Sequence, residues 1–290
     1  MQSRGTVIRA YGGFFFVLTE SGSLTCRPRG KLRLTEGEII VGDTVEVTMT
    51  GEGTAVIERV LDRKVELHRP RIANVELAVV VVAARDPDPS PFLIDRYLTV
   101  IAHAGLETVL CINKIDLADR SEVDSLSHMY RRAGLDVLTT AAIYGQGVDE
   151  LALRLSGTTC VLAGPSGTGK SALLKALCPG VDAVVGEVSR KTRRGKHTTR
   201  FVQLVPLPSG GLIADSPGFS YLRLGDIRPD ELRVLFPGFE KLARTCRFSS
   251  CLHRDEPGCE IKDAVADGRI SETRYENYLE LLREIESYQR

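Results

Sequence analysis

One segment constrains this chain more than any other. Gly164, Pro165, Ser166, Gly167, Thr168, Gly169, Lys170 and Ser171 match the pattern G-x-x-x-x-G-K-[ST] in full, with Ala172 following. An apolar run at 159–163 precedes the match and a helical pattern at 170–177 follows it. The segment therefore belongs at a strand-to-helix turn of an α/β sheet. Glycines let the backbone curl so that successive N–H groups face a polyphosphate, helped by the amino end of the next helix. Lys170 can then reach the β- and γ-phosphates, and the Ser171 hydroxyl can ligate Mg²⁺. The pattern arises by accident in roughly one chain in a hundred of this length, and the strand-before, helix-after context lowers that further. A phosphate-binding loop is the expectation.

Two further motifs sit at strand ends. Asp215-Ser-Pro-Gly218 closes the apolar run 212–214, 45 positions beyond Lys170. Alone, D-x-P-G is more often an ordinary turn. Behind a phosphate loop, the aspartate can hold Mg²⁺ through water and the Gly218 N–H can sense a γ-phosphate. Asn113, Lys114 and Asp116 form N-K-x-D after the run 109–112. A carboxylate such as that of Asp116 accepts the two N–H groups of a guanine edge, whereas adenine offers a mismatched edge. GTP is thus the expected nucleotide. An ordinary GTPase runs phosphate loop, switch, D-x-x-G and then N-K-x-D; here N-K-x-D comes first. The same parallel sheet can be built from a permuted chain, because domain termini tend to lie at the surface and close together.

The remaining segments predict a multidomain α/β protein. Residues 1–68 hold five β-branched and aromatic runs, at 6–10, 14–19, 24–27, 44–49 and 55–60, punctuated by glycine turns. Such a series suggests a small barrel of the OB type, either an RNA-binding module or a structural one. From 69 to 224 strands at 77–83, 109–112, 137–139, 159–163 and 212–214 alternate with helices from Ser90–Pro91 to 103 and at 121–133, 148–155 and 170–177. That alternation is the mark of a mostly parallel sheet. Residues 225–290 are helical, interrupted by a cysteine cluster.

In that cluster Cys246, Cys251, His253 and Cys259 supply three thiolates and an imidazole. Four such ligands fill a closed tetrahedral site, the pattern of a structural zinc ion. Cys26, Cys111, Cys160 and Cys178 lie in apolar contexts and read as core. Tyr275 and Tyr278 read as helix-face packing. The formal net charge is zero, which argues against wholesale electrostatic binding to nucleic acid, although Arg190, Lys191, Arg193, Arg194, Lys196 and Arg200 make a local basic patch. The sequence begins without a secretory signal pattern, and its longest apolar run, 77–84, is too short to span a bilayer. A cytoplasmic monomer without membrane contact is expected.

The motif order and its flanks closely resemble the ribosome small-subunit-dependent GTPase A family, known as RsgA or YjeQ. The resemblance runs through Asn74-Val75, Asp95-Arg96-Tyr97-Leu98, the G-K-H-T-T from Gly195 to Thr199, Asp215 to Phe219, the cysteine cluster, and Arg274 to Tyr278. It implies an N-terminal OB-fold barrel, a central circularly permuted GTPase domain and a C-terminal helical zinc domain. It further implies GTP hydrolysis to GDP stimulated by the small ribosomal subunit, contact with its rRNA, and a role in late maturation of that subunit. The family's guanine-contacting Ser-Ala pair falls on Ala141 and Ala142, which lose the hydroxyl but keep backbone N–H groups. Glu76 stands where the family commonly has aspartate. In the switch, Thr198 and Thr199 are candidates to complete the Mg²⁺ shell. Phe219 follows Gly218 where many GTPases orient water with a glutamine, so His197 is the candidate for that task. The competing reading makes His197 part of a basic RNA-facing loop. Two other functions stay open: an RNA-binding scaffold with vestigial hydrolysis, fed by the missing glutamine, and an ATP-dependent kinase, opposed by Asp116.

Overall fold

The computed structural model describes residues 2–30, 38–68, 70–180, 202–219 and 224–289, giving the backbone alone at 68 and 215–219. The chain divides into two compact units: 1–76, 152–161 and 177–219 make the first, and 77–151, 162–176 and 220–290 the second.

In the first unit β1 (Gln2–Tyr11), β2 (Phe14–Thr19), β3 (Gly22–Pro28), β4 (Thr44–Gly51) and β5 (Thr54–Val60) close a barrel in the order β1-β2-β3-β5-β4. Period-2 alternation turns Val7, Val17, Leu24, Cys26, Val45, Val47 and Ile57 inward, where they are buried. All five expected strands are present, each within a few residues of its expected ends. The outer face pairs Arg9 with Phe16 (3.8 Å to the ring centroid) and Arg27 with Phe14 (4.3 Å), within the usual range of a cation–π contact.

A short hairpin unforeseen in the sequence, β6 (Glu66–His68) with β7 (Arg71–Ala73), follows the barrel. Three-residue strands leave too little alternation to read. Arg63 ties this region to the barrel by donating to the fully buried Asp43 at 2.7 Å. The motif Asn74-Val75-Glu76 gains a structural role here. Asn74, at φ 56°, donates to Gly42 O at 3.0 Å and accepts from Lys64 N at 2.9 Å. Glu76 accepts from Thr159 N at 3.1 Å, at the start of the strand that leads to the glycine-rich loop 164–169.

The six-stranded sheet runs β10-β9-β8-β11-β13-β12, with β8 Leu77–Ala83, β9 Glu107–Asn113, β10 Asp136–Thr139, β11 Thr159–Ala163, β12 Gln203–Pro206 and β13 Leu212–Phe219. Every residue of β8 is buried, as in strands covered on both faces. β8, β9 and β10 pair in parallel, whereas β12 runs antiparallel to β13. The edge strand β12 has no counterpart among the expected strands, and β13 extends beyond the expected end at 214. Gln203 pairs with Asp215, so Asp215 and Gly218 lie within the strand instead of just after it.

Helices α1 (Pro91–His103), α2 (Arg120–Arg132), α3 (Val148–Leu155) and α4 (Lys170–Leu177) alternate with the strands. The Ser90 side chain caps α1 by accepting from Leu93 N, with Pro91 in the first turn. Asp119 and Glu122 form a capping box on α2.

Helices α5 (Pro229–Leu235), α6 (Glu240–Ala243), α7 (Glu260–Ala266) and α8 (Glu272–Tyr288) build the C-terminal part of the second unit. Phe236, Phe239, Tyr278, Leu281 and Ile285 form its core. No helix among the described residues is long and apolar enough to cross a membrane.

Candidate active site and metal centre

The loop between β11 and α4 holds the G-x-x-x-x-G-K-S segment, and its geometry admits only glycine at two points. Gly164 has φ +131°, and a Cβ there would stand 2.1 Å from Val81 O. Gly169 has φ +90°, and its Cβ would meet Asn113 Nδ2 at 2.3 Å. Both clashes are severe, and φ values of this kind are strained for side-chain-bearing residues. Lys170 Nζ donates to Gly164 O at 2.8 Å and Pro165 O at 2.6 Å, and burial lowers its pKa. Thr168 is buried, its hydroxyl bonded to Pro165 O at 3.1 Å. Ser166, Gly167 and Ser171 are exposed, whereas Ala172 is half-buried.

Asn113, 2% exposed, joins this loop to the two loops beside it. Its Nδ2 donates to Thr168 O at 2.9 Å, while Oδ1 accepts from Thr140 Oγ1 at 2.9 Å and from Ala142 N at 3.2 Å. The Ala142 N–H, expected to remain for the base, is thus engaged by Asn113. Ala141 is fully buried and its N–H donates to Gln146 O at 3.0 Å. Asp116 is exposed on the 3₁₀ turn Ile115–Leu117.

A further loop, which carries no motif in the sequence, reaches the same place. Lys114, in the left-handed region at φ 60°, donates from Nζ to Asp86 O. Pro87 Cδ lies 3.4 Å from the position a Cβ on Gly167 would take. Asp86 and Pro87, in the loop 84–90, therefore line the same site. The signal was available, since ligands in open α/β sheets bind outside the carboxyl ends of the strands and these residues follow β8. Asp215 and Gly218 lie on β13 of the first unit. His197, Thr198, Thr199 and the basic patch fall outside the described residues.

The C-terminal cluster assembles as expected. The ligating atoms of Cys246, Cys251, His253 and Cys259 all lie within 4.8 Å of one another. His253 Nδ1 stands 3.6, 3.4 and 3.4 Å from the sulfurs of Cys246, Cys251 and Cys259. A tetrahedral ion with bonds of about 2.3 Å to sulfur and 2.0 Å to nitrogen requires S···N edges of about 3.5 Å. The residues present fit a metal ion. Burial pushes the Cys251 thiol up to about 12, raises Cys259 and pushes His253 down to about 4. The imidazole is thus neutral, ready to ligate, and a dication would offset the cost of burying thiolates. The loop is held from several sides. Arg233 Nε donates to Cys251 O at 2.9 Å, Glu256 accepts from Leu252 N at 2.7 Å and Arg254 N at 2.8 Å, and the hydroxyls of Tyr275 and Tyr278 donate to His253 O and Leu252 O at 2.7 Å.

The family model described as RsgA GTPase matches residues 60–225, and that of the RsgA N-terminal domain matches 4–57. The chain belongs to the RsgA GTPase family. The small ribosomal subunit biogenesis GTPase RsgA of Moorella thermoacetica is 46% identical over 281 residues, 97% of each chain. The protein of the same name from Thermotoga neapolitana is 42% identical, covering 98% of this chain and 97% of its own. Among solved structures, YjeQ from Thermotoga maritima superposes with a TM-score of 0.85 at 38% identity, over 98% of this chain and 99% of that one. YloQ, described as a circularly permuted GTPase, gives 0.84 at 35% identity over 99% and 96%. The closed barrel and the permuted GTPase fold of the family are thus as expected from the sequence.

Proposed function

We propose that this RsgA-family protein hydrolyses GTP to GDP and phosphate under stimulation by the small ribosomal subunit, and acts in late maturation of that subunit in the cytoplasm. The observation that carries the reading is the Asn113 bridge. It welds the loop expected to read guanine to the loop expected to hold phosphates, in a chain whose near relatives are named small-subunit biogenesis GTPases.

In this reading residues 1–68, 69–224 and 225–290 act as three modules of one monomer. Asp116 accepts the guanine N–H groups, with Asn113 and Lys114 bracing its loop and Ala141 and Ala142 beside the base. The backbone from Gly164 to Gly169 cradles the phosphates. Lys170 leaves its two carbonyl partners to meet them, a change eased by the burial that lowers its pKa. Ser171, one of Thr198 and Thr199, and Asp215 through water would hold Mg²⁺, which neutralises charge on the β- and γ-phosphate oxygens. Gly218 senses the γ-phosphate, and His197 orients water.

Cys246, Cys251, His253 and Cys259 would hold one structural Zn²⁺. The arginine–phenylalanine pairs on the outer barrel face suit rRNA, combining phosphate charge with stacking surfaces. Hydrolysis serves as a release switch, with small subunits bound more tightly in the GTP state.

GTP turnover titrated with purified small subunits tests the whole reading. Stimulation that vanishes in Lys170→Ala is expected. Turnover that stays at background with and without subunits would favour a nucleotide-dependent scaffold instead.

A further inference from the structure

Two sequence motifs, Asp95 to Leu98 and Arg274 to Tyr278, take no part in the nucleotide chemistry above, yet the fold joins them across 179 residues of chain. Asp95 on α1 is fully buried and Arg274 on α8 is 3% exposed. Arg274 Nε donates to Asp95 Oδ1 at 2.9 Å, and Asn277 Nδ2 donates to Oδ2 at 2.8 Å. Arg274 also donates to Pro237 O at 2.9 Å, and its guanidinium lies 5.2 Å from the Tyr130 ring centroid on α2. Tyr130 in turn donates from its hydroxyl to Pro91 O at 3.2 Å, in the first turn of α1. Nearby, Arg96 donates to Glu284 at 2.8 Å, a second tie between α1 and α8.

Both helices gripped by Arg274 flank β9, whose end carries Asn113. α2 begins at Arg120, shortly after Asp116, and α1 begins where loop 84–90 ends. That loop holds Lys114 and abuts Gly167. The same α8 fastens the metal loop through Tyr275 and Tyr278. One helix is thus bolted to the metal loop and to both supports of the guanine loop. Burial raises the Asp95 pKa while Arg274 and Asn277 oppose it, so the pair is a costly way to gain stability. A buried pair is better suited to selecting one docking orientation, since a shifted arrangement strands a charge.

We propose that Asp95, Arg274 and Asn277 are positioning residues for guanine-nucleotide binding. By seating α8 in one orientation against α1 and α2, they hold loop 84–90 and the Asn113–Asp116 loop in the geometry that binds nucleotide. The metal-binding segment therefore sets nucleotide affinity, and by linkage whatever docks on that segment is felt at the nucleotide. The proposal rests on the guanine-nucleotide reading of the site.

The test uses the full-length, metal-loaded chain without ribosomal subunits, titrated with fluorescent GDP. Asp95→Asn should raise Kd roughly tenfold, while kcat at saturating GTP stays within about twofold. A merely structural role would lower the active fraction and leave Kd alone. Arg274→Gln should match it, and the double variant should be no worse than either single, because the cluster acts as a unit. Arg244→Ala, which breaks an exposed pair with Glu240 in the same segment, should leave Kd at the wild-type value. Should Asp95→Asn fail to fold, Asn277→Ala removes one donor only and should raise Kd about threefold. A wild-type Kd in the folded variant, with its full metal content, overturns the proposal. Failure of the wild-type chain itself to bind GDP would instead overturn the functional reading beneath it.

Discussion

Truncating Asn113 asks directly whether two loops work as one nucleotide site. Asn113→Ala breaks three bonds at once: to Thr168 O at 2.9 Å, from Thr140 Oγ1 at 2.9 Å, and from Ala142 N at 3.2 Å. Thr140 retains a partner, because Cys111 Sγ lies 3.3 Å from its hydroxyl. Thr168 and Ala142 are both buried, and their carbonyl and N–H each lose the bond to Asn113. A buried polar group left unpaired costs about 1–3 kcal/mol. Two of them give about 2–6 kcal/mol, and local relaxation with water entry places the loss near the lower half, about 3 kcal/mol. The cost falls on the loop geometry that binding needs, so GDP should bind roughly a hundredfold more weakly. Asn113→Asp keeps an acceptor for Thr140 and Ala142 but turns a carboxylate oxygen toward Thr168 O, and should be no better than alanine. Fluorescent-GDP titration, with circular dichroism to verify folding, measures both variants. A Kd for folded Asn113→Ala within about threefold of wild type would refute the bridging argument.

Elemental analysis of protein purified without chelator should find one zinc per chain, and stripping it should melt the C-terminal helices, read by far-ultraviolet dichroism, because thiols and imidazole alone cannot replace its binding energy; a chain that holds no zinc and yet keeps those helices would sink the metal assignment. Asp116→Asn should shift preference from GTP toward xanthosine triphosphate, whose altered edge pairs with an amide. An unchanged preference in competition titrations would show that Asp116 does not read the base. His197→Ala should leave GTP affinity within a few-fold while lowering subunit-stimulated turnover by roughly a hundredfold or more, as for a lost water-positioning group. Equal loss of small-subunit binding would favour the RNA-contact role.

Much of the architecture was legible because its signals are local. The barrel strands declare themselves by alternation, with Val45 and Val47 inward along β4, and Ser90–Pro91 marks the start of α1 by capping chemistry alone. The phosphate loop, N-K-x-D and the cysteine spacing are strings whose chemistry demands fixed residue types a few positions apart. Short or edge elements were less legible. β6, β7 and β12 carry three or four residues each, too few for periodicity to rise above composition, and β13 runs past 214 to Phe219, with β12 paired to it as far as Asp215.

By itself, then, the sequence determined the family, its GTPase chemistry, the barrel and the permuted order, and it named the segments expected to hold phosphate, guanine and a metal ion. Tertiary structure alone decided how those parts bear on one another. Nothing local foretells that Asn113 Oδ1 takes the Ala142 N–H, that Asp86 O receives Lys114, or that Arg274 meets Asp95 across 179 residues. Short-range motifs are written by the dihedral and hydrogen-bonding needs of neighbouring residues, so they leave a spacing in the chain. Contacts between distant segments are chosen by packing and by the need to satisfy every buried polar group, and neither leaves a period that can be read along one strand of sequence.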